Sequence, residues 1–268
     1  MKYQIVVLFL FLGFALSAQN VQEFKIPLNN NGGKGKLSVD INIGPVTVKG
    51  TARKDVLVRY EPLDDADVKM KEDKNGLKKI SGGAADIEIL EKNGEVIIES
   101  TSWNKGIRLN IEVPKSFDVN AESYMHGKVL VESVEGEVTI ENFNGSIEAK
   151  GISGTVNANT YNGDVVVKLD KIIGDAPMSF HTYNGTIDIS LPDNAKVDAK
   201  VKTDRGDVYT GFDAQFVTAK AKVDKKEGEN WNRTFIDGWL EGKINGGGPE
   251  LKIKTVNGDI YIRKKDQQ

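Results

Sequence analysis

The chain has 268 residues, 39% of them hydrophobic, and sets 36 basic residues against 39 acidic ones for a net charge of -3. Charges of both signs are interspersed, which argues against a general nucleic-acid or anionic-membrane partner. The absence of cysteine excludes disulfides, a thiol nucleophile, cysteine-ligated metals and a lipidated cysteine anchor.

Residues 1–18 read as a secretory signal peptide. Lys2 gives the positive start, the apolar run from Ile5 to Leu16 is short for a bilayer span, and Ala15, Ser17 and Ala18 offer small residues for cleavage. The expectation is export to the periplasm or cell surface, with no membrane insertion once the leader is removed. Residues 19–268 are then expected to form a single elongated domain, held by its core and backbone ladders without disulfide staples.

Strand signals begin early. Leu37, Val39, Ile41 and Ile43 alternate, and Gly44-Pro45-Val46-Thr47-Val48 introduces a glycine with apolar residues two and four positions later. Val56, Val58 and Tyr60 follow. The charged stretch 64–85 reads as a solvated excursion. Ile87, Ile89 and the Gly94–Ile98 segment resume the strands, and Ile107, Leu109, Ile111 and Val113 alternate up to Pro114.

From His126 to Asp170 the pattern becomes a repeat. Gly127, Gly136, Gly145, Gly154 and Gly163 recur every nine residues. Val129, Val138, Ile147, Val156 and Val165 stand two positions after them, and Val131, Ile140, Ala149, Ala158 and Val167 four after. Seven after come Val134, Phe143, Ile152 and Tyr161. A nine-residue unit fits either an antiparallel meander with Asn-Gly turns or a β-solenoid. The apolar face switches parity between the fourth and seventh positions, so the chain must bend inside each unit. A solenoid corner suits that bend better than a straight hairpin strand. The predicted fold is therefore all-β: a parallel β-solenoid of nine-residue strand-corner units, about two units per coil, with strands about 4.8 Å apart. Later come Gly185 to Ile189, Val197 to Val201 and Gly206-Asp207-Val208. An irregular insert over 228–248 precedes the closing strands at Leu251–Thr255 and Gly258–Ile262. The basic tail Arg263-Lys264-Lys265 is expected to blunt the final edge.

The closing G-G-G-P-E-L-K-I-K-T-V-N-G-D-I-Y-I-R-K, with the internal Y-N-G-D-V-V-V and Y-N-G-T-I-D-I units, resembles the bacterial adhesin-like family known as domain of unknown function 4097. The match is best from about Ile107 to Arg263. The Ser-Ala-Gln at the end of the leader is similar to envelope proteins of Bacteroidetes-type bacteria. The resemblance implies a β-solenoid-like envelope or surface protein with a role in adhesion. It brings no catalytic residues.

Among chemistry candidates, Arg205-Gly206-Asp207 has the form of an adhesion triplet, but it aligns with the corner glycines, Arg205 falling where the repeat has Asn. Asp164, Asp207 and Asp259 each follow a corner glycine and read as solvated corner charge rather than a Ca²⁺ row or a hydrolytic pair. His126 and His181, the two histidines, lack metal-site spacing. Neither a G-x-S-x-G nucleophile motif nor a phosphate loop occurs. Asn142, Asn144, Asn162, Asn184, Asn245 and Asn257 read as turn residues that hydrogen-bond along a stack. Trp231, Phe235 and Trp239 lie four apart and serve either as a stacked ligand platform or as a plug for the solenoid. No cofactor or metal is expected. The leading expectation is a non-enzymatic exported binding or scaffold protein with a glycan or envelope-protein partner. The alternatives are a carbohydrate-active enzyme on a β-helix scaffold and an extracytoplasmic signalling partner.

Overall fold

The computed structural model describes residues 21–29, 33–63, 87–219, 222–225, 232–235 and 238–265, the segments 222–225 and 232–235 in backbone only. The leader at 1–18, the excursion at 64–85 and Trp231 lie outside these residues. Among them the fold is all-β. Twenty strands form one hydrogen-bonded network, and Lys222–Lys225 pairs with Asn232–Phe235 as a separate antiparallel hairpin.

The alternating residues do what period two requires. Leu37, Val39, Ile41 and Ile43 are buried in Lys36–Ile43, with Ser38 and Asn42 half-buried and Asp40 more exposed. The strands build two stacked ladders, here the front and back sheets. The chain crosses from front to back eight times, so that each rung is a front strand, a corner and a back strand. In spatial order the rungs are Glu95–Ser100 with Ile107–Pro114, Lys36–Ile43 with Val46–Thr51, Asp118–Met125 with Val129–Glu132, and Glu137–Asn144 with the first half of Ile147–Asn162. They continue with the second half of Ile147–Asn162 with Val165–Ile172, Met178–His181 with Ile187–Leu191, Glu250–Asn257 with Ile260–Lys264, and Val197–Arg205 with Val208–Thr210. Every rung-to-rung pairing is parallel. In the regular centre, Val129 pairs with Ile147 and Ile147 with Val165, partners eighteen residues apart.

Sequence order and spatial order differ at both ends. The rung at 36–51 is inserted between those at 95–114 and 118–132. The rung at 250–264 is inserted between those at 178–191 and 197–210. The strand Ile260–Lys264 is thus internal to the back sheet, and the basic tail does not blunt a final edge as the sequence suggested. Antiparallel strands lie beyond the end rungs instead. Glu88–Lys92 flanks 95–100, Val56–Pro62 and then Gln22–Ile26 flank 107–114, and Leu240–Ile244 and then Phe216–Thr218 flank 197–205. The C-terminal part of the expected irregular insert, Leu240–Ile244, is therefore a regular strand.

Between the sheets lies one apolar column per inward position. Val46, Val129, Ile147, Val165, Ile187 and Ile260 are all fully buried, as are Phe180 opposite and Val96 at one end. A row of front-to-back corners runs beside the core: Gly44, Gly127, Gly145, Gly163, Gly185, Gly258 and Gly206. A Cβ on any of them would overlap backbone of the adjacent rung, for Gly145 the carbonyl oxygen of Gly127. The hydrogen-bonding side chain one step inward caps those carbonyls. Ser123 Oγ, Asn142 Nδ2, Thr160 Oγ1, Thr182 Oγ1, Thr255 Oγ1 and Thr203 Oγ1 donate to the oxygens of Gly44, Gly127, Gly145, Gly163, Gly185 and Gly258, all within 3.0 Å. Buried polar groups need such partners.

The nine-residue columns of the sequence are not equivalent positions in space. Successive units alternate between the two sheets and between two kinds of corner. Val134 and Ile152 are fully buried, whereas Phe143 and Tyr161, aligned with them in sequence, are 41% and 43% exposed.

Val138 is 1% exposed in its column and Glu137 beside it faces outward. Val138→Asp is expected to destabilise by several kcal/mol, because it buries a charge without a partner, while Glu137→Lys leaves the unfolding free energy within about 0.5 kcal/mol of wild type. Thermal melts of the two variants check the register, and similar midpoints would contradict it. Gly145→Ala is expected to cost about 3 kcal/mol or more, since backbone of the next rung cannot yield to the new methyl. A near-native urea midpoint for that variant would show that the corners are looser than drawn.

Candidate functional site

Outward positions of the front sheet form rows that run along the stack, across the strands. The row nearest the corners is aromatic. Tyr124, Phe143, Tyr161 and Tyr183 stack ring on ring, with centroids 4.7, 5.2 and 4.9 Å apart and planes within 11° of parallel. Trp103, from the loop before Ile107–Pro114, meets Tyr124 edge-on at 5.4 Å. All five are between 39% and 56% exposed. Stacking of this kind contributes roughly 0.5–1.5 kcal/mol per pair, so the ridge steadies the coil. It also presents a continuous line of ring edges to solvent.

The next row carries charge in graded order. Register pairs Glu99 with Asp40, Asp40 with Glu122, Glu122 with Glu141, Glu141 with Asn159, Asn159 with His181, His181 with Lys254, and Lys254 with Lys202. Four carboxylates therefore stand side by side, then two neutral side chains, then two lysines. His181 Nδ1 lies 3.1 Å from Asn159 Oδ1. No lysine or arginine among the described residues forms an ion pair with Glu99, Asp40, Glu122 or Glu141. Like charges directly opposite on neighbouring strands destabilise a sheet, and the electrostatics register this. Partial burial, then Glu122, then Glu99, hold the Asp40 carboxyl above its usual range. At the other end burial, then Lys254, then Lys252, hold the His181 ring below its usual value.

Between ridge and charge row runs an open groove of about 560 Å³, lined by Asp40, Glu122, Tyr124, Glu141, Phe143 and Tyr161 among others. It continues through Asn159 and His181 into a second depression of about 390 Å³ that ends at Lys252 and Lys254. Trp239 stands at that end, half-buried, its ring centroid 5.4 Å from Lys200 Nζ and 5.5 Å from Lys252 Nζ. Asn142, 3% exposed, lines the groove with an Oδ1 that has no hydrogen-bond partner.

The structure brings together only part of what the sequence singled out. Trp239 reaches the front face; Phe235 is described only as the last backbone position of Asn232–Phe235. Asn144, Asn162, Asn184 and Asn257 form a side-chain ladder at 2.7 Å per step, and Arg205 caps it by donating to Asn257 Oδ1 at 3.2 Å. The Arg205-Gly206-Asp207 triplet is thus the end of a structural corner row. Asp164 Oδ1 accepts the Thr186 N–H and Asp259 Oδ1 the Asp207 N–H, so these aspartates tie one corner to the next. No group of three or more metal-ligating side chains is placed to hold an ion among the described residues, and no helix there is long and apolar enough to cross a membrane. The aromatic ridge escaped the sequence reading. Its signal was present, because Tyr124, Phe143, Tyr161 and Tyr183 follow one another at 19, 18 and 22 residues, one coil each, but nine-residue alignment put Phe143 and Tyr161 in one column with the core residues Val134 and Ile152.

Stacked strand–corner–strand rungs with a glycine row and an asparagine ladder define a solenoid-like repeat protein of the all-β class. The chain belongs to the Toastrack DUF4097 family, whose model matches residues 16–263. Two solved structures are similar to it. One is described as a putative cell adhesion protein from Clostridium sporogenes, with 16% identity, 91% of this chain and 100% of that one covered, and a TM-score of 0.45. The other is described as a putative adhesin from Bacteroides fragilis, with 10% identity, 91% and 95% covered, and a TM-score of 0.38. No curated protein matches the chain.

Raised Asp40 affinity for its proton means that the folded chain binds that proton more tightly than the unfolded one. Stability from this group therefore falls as pH climbs from 3.8 through the raised value. Asp40→Asn is expected to raise the unfolding free energy at pH 7 by about a few tenths of a kcal/mol, discounted for solvent screening, read as a small rise in thermal midpoint. The gain should fade as pH falls below about 4, where both forms are neutral. A variant less stable than wild type at pH 7 would contradict the repulsion in this row.

Proposed function

We propose that this protein is an exported, non-enzymatic, adhesin-like binding and scaffold protein of the cell envelope, working in the periplasm or at the cell surface after loss of residues 1–18. The observation that carries the reading is the front face itself. An exposed aromatic ridge and a row of carboxylates with no ion-pair partner among the described residues border a groove across six adjacent strands. Such a face suits an extended partner, a glycan or an envelope protein, because it repeats along the stack rather than converging on one point. Each aromatic in it is well exposed, yet its neighbours fix its rotamer, so little side-chain entropy is lost on binding. Trp231, Phe235 and Trp239 of the same insert are proposed as ligand-binding residues, Trp239 from the lysine end of the face.

One observation favours the runner-up, a carbohydrate-active enzyme on the same scaffold. Glu122 and Glu141 are cross-strand neighbours, and one strand spacing, about 4.8 Å, is close to the carboxyl separation of retaining glycosidases. The test runs both readings together. Purified protein is screened on a glycan array and against immobilised envelope-protein fractions, with hydrolase and lyase assays on the same glycans. Saturable binding without turnover is expected, lost in a Tyr124→Ala/Tyr161→Ala variant that still melts cooperatively. Turnover abolished by Glu122→Gln or Glu141→Gln would replace binding with catalysis.

A further inference from the structure

The front-face groove is not symmetric along its length, and the asymmetry specifies a ligand. Its first part is walled by Asp40, Glu122 and Glu141, with Glu99 one strand beyond its Asp40 end, its middle by Asn159 and His181, and its far part by Lys252 and Lys254. From the strand of Asp40 to that of Lys254 there are five strand spacings, about 24 Å. The ridge beside it offers ring edges, not ring faces. Tyr124, Phe143 and Tyr161 are covered on both faces by their neighbours at 4.7 to 5.4 Å. A sugar ring that stacks flat on an aromatic face finds none free along the middle of the groove. Side chains that lay methylenes against ring edges while carrying a charge at the tip fit better, as lysine and arginine do.

Resting on the binding role proposed above, we propose that the groove takes an extended peptide segment of a partner protein, with basic residues over Glu99–Glu141 and acidic residues over Lys252 and Lys254. The segment runs across the strands of the front sheet, along the stack. About seven extended residues at 3.3–3.4 Å each span the groove. Main-chain pairing does not hold it, since the front strands between Lys36–Ile43 and Glu250–Asn257 are paired on both sides. Charge sets polarity: the reversed peptide places lysine on lysine and carboxylate on carboxylate. Glu122 and Glu141, the members of the acid row nearest the middle of the groove, gain from a bound cation that relieves repulsion the free protein sustains.

The test uses the full mature chain and a fluorescent peptide of about nine residues with a lysine block, a serine spacer and a glutamate block. Its comparators are the same composition with alternating charge, and a glucosamine oligomer as a non-peptide polycation. Fluorescence anisotropy at low ionic strength reads binding. The block peptide is expected to bind at least about ten-fold more tightly than the alternating one. Glu122→Gln/Glu141→Gln should weaken it about ten-fold and Lys252→Gln/Lys254→Gln by a smaller factor, with all variants retaining cooperative melts. Equal affinity for both peptides, indifference to the Glu122 and Glu141 changes, or tighter binding of the glucosamine oligomer would overturn the proposal. So would a wild-type dimer in sedimentation that the same substitutions dissolve, because the occupant would then be a second copy. If envelope binding through Tyr124 and Tyr161 persists while the peptide arms are negative, only this inference fails; if both are negative, the binding role fails with it.

Discussion

Close approach of backbone at the front-to-back corners is the constraint on which the structure depends. Parallel strands can stack at the spacing of a β-ladder only if the turns that join the two sheets also stack at that spacing. At Gly127, Gly145, Gly163, Gly185 and Gly258 no volume remains for a Cβ, and the carbonyl of each corner lies against the next. Glycine satisfies the steric condition and creates a polar one, because these carbonyls face the end of the core. Ser123, Asn142, Thr160, Thr182 and Thr255 meet it with buried donors, and Thr203 with a partly exposed one. Outside them the asparagine ladder and the corner aspartates satisfy the remaining groups. Three polar rows and one glycine row thus follow from a single spacing.

The same spacing produces the front face. Whatever stands outward on one strand lies one ladder step from its equivalents on either side, so similar residues become rows. For Tyr124, Phe143, Tyr161 and Tyr183 the result is attractive and each ring gains a partner. For Glu99, Asp40, Glu122 and Glu141 it is repulsive, and Glu122 and Glu99 add to the partial burial that raises the proton affinity of Asp40. A protein selected for stability alone has no use for the second row, and surface substitutions would remove it easily. In the binding role proposed above, the fold tolerates this local cost because a partner relieves it.

Placement of the terminal rungs bears on durability. The rung at 250–264 sits between two others, as does the rung at 36–51, so each of these outlying stretches of sequence is held on two sides. Antiparallel strands beyond the end rungs limit the open edge that a parallel stack would otherwise offer for end-to-end pairing. Contacts of this kind join residues far apart in sequence, which predicts slow folding relative to a local repeat array.

The sequence by itself determined the all-β class, the glycine corners, the buried Val and Ile positions and the structural reading of Arg205-Gly206-Asp207 and the asparagines. Each of these follows from local physics: period-two burial, the steric freedom of glycine and the hydrogen bonding of a short amide. Tertiary structure decided the rest. Glycine recurs every nine residues, but partners stack at eighteen, and only the second interval assigns Val134 and Ile152 to the core and Phe143 and Tyr161 to the surface. Order along the stack also lies beyond local pattern, since the rungs at 36–51 and 250–264 are inserted rather than appended. The charge row needed both facts. Glu99, Asp40, Glu122, Glu141, His181 and Lys254 are scattered over more than 150 residues of sequence, and hydrogen-bond register between distant strands is what sets them side by side.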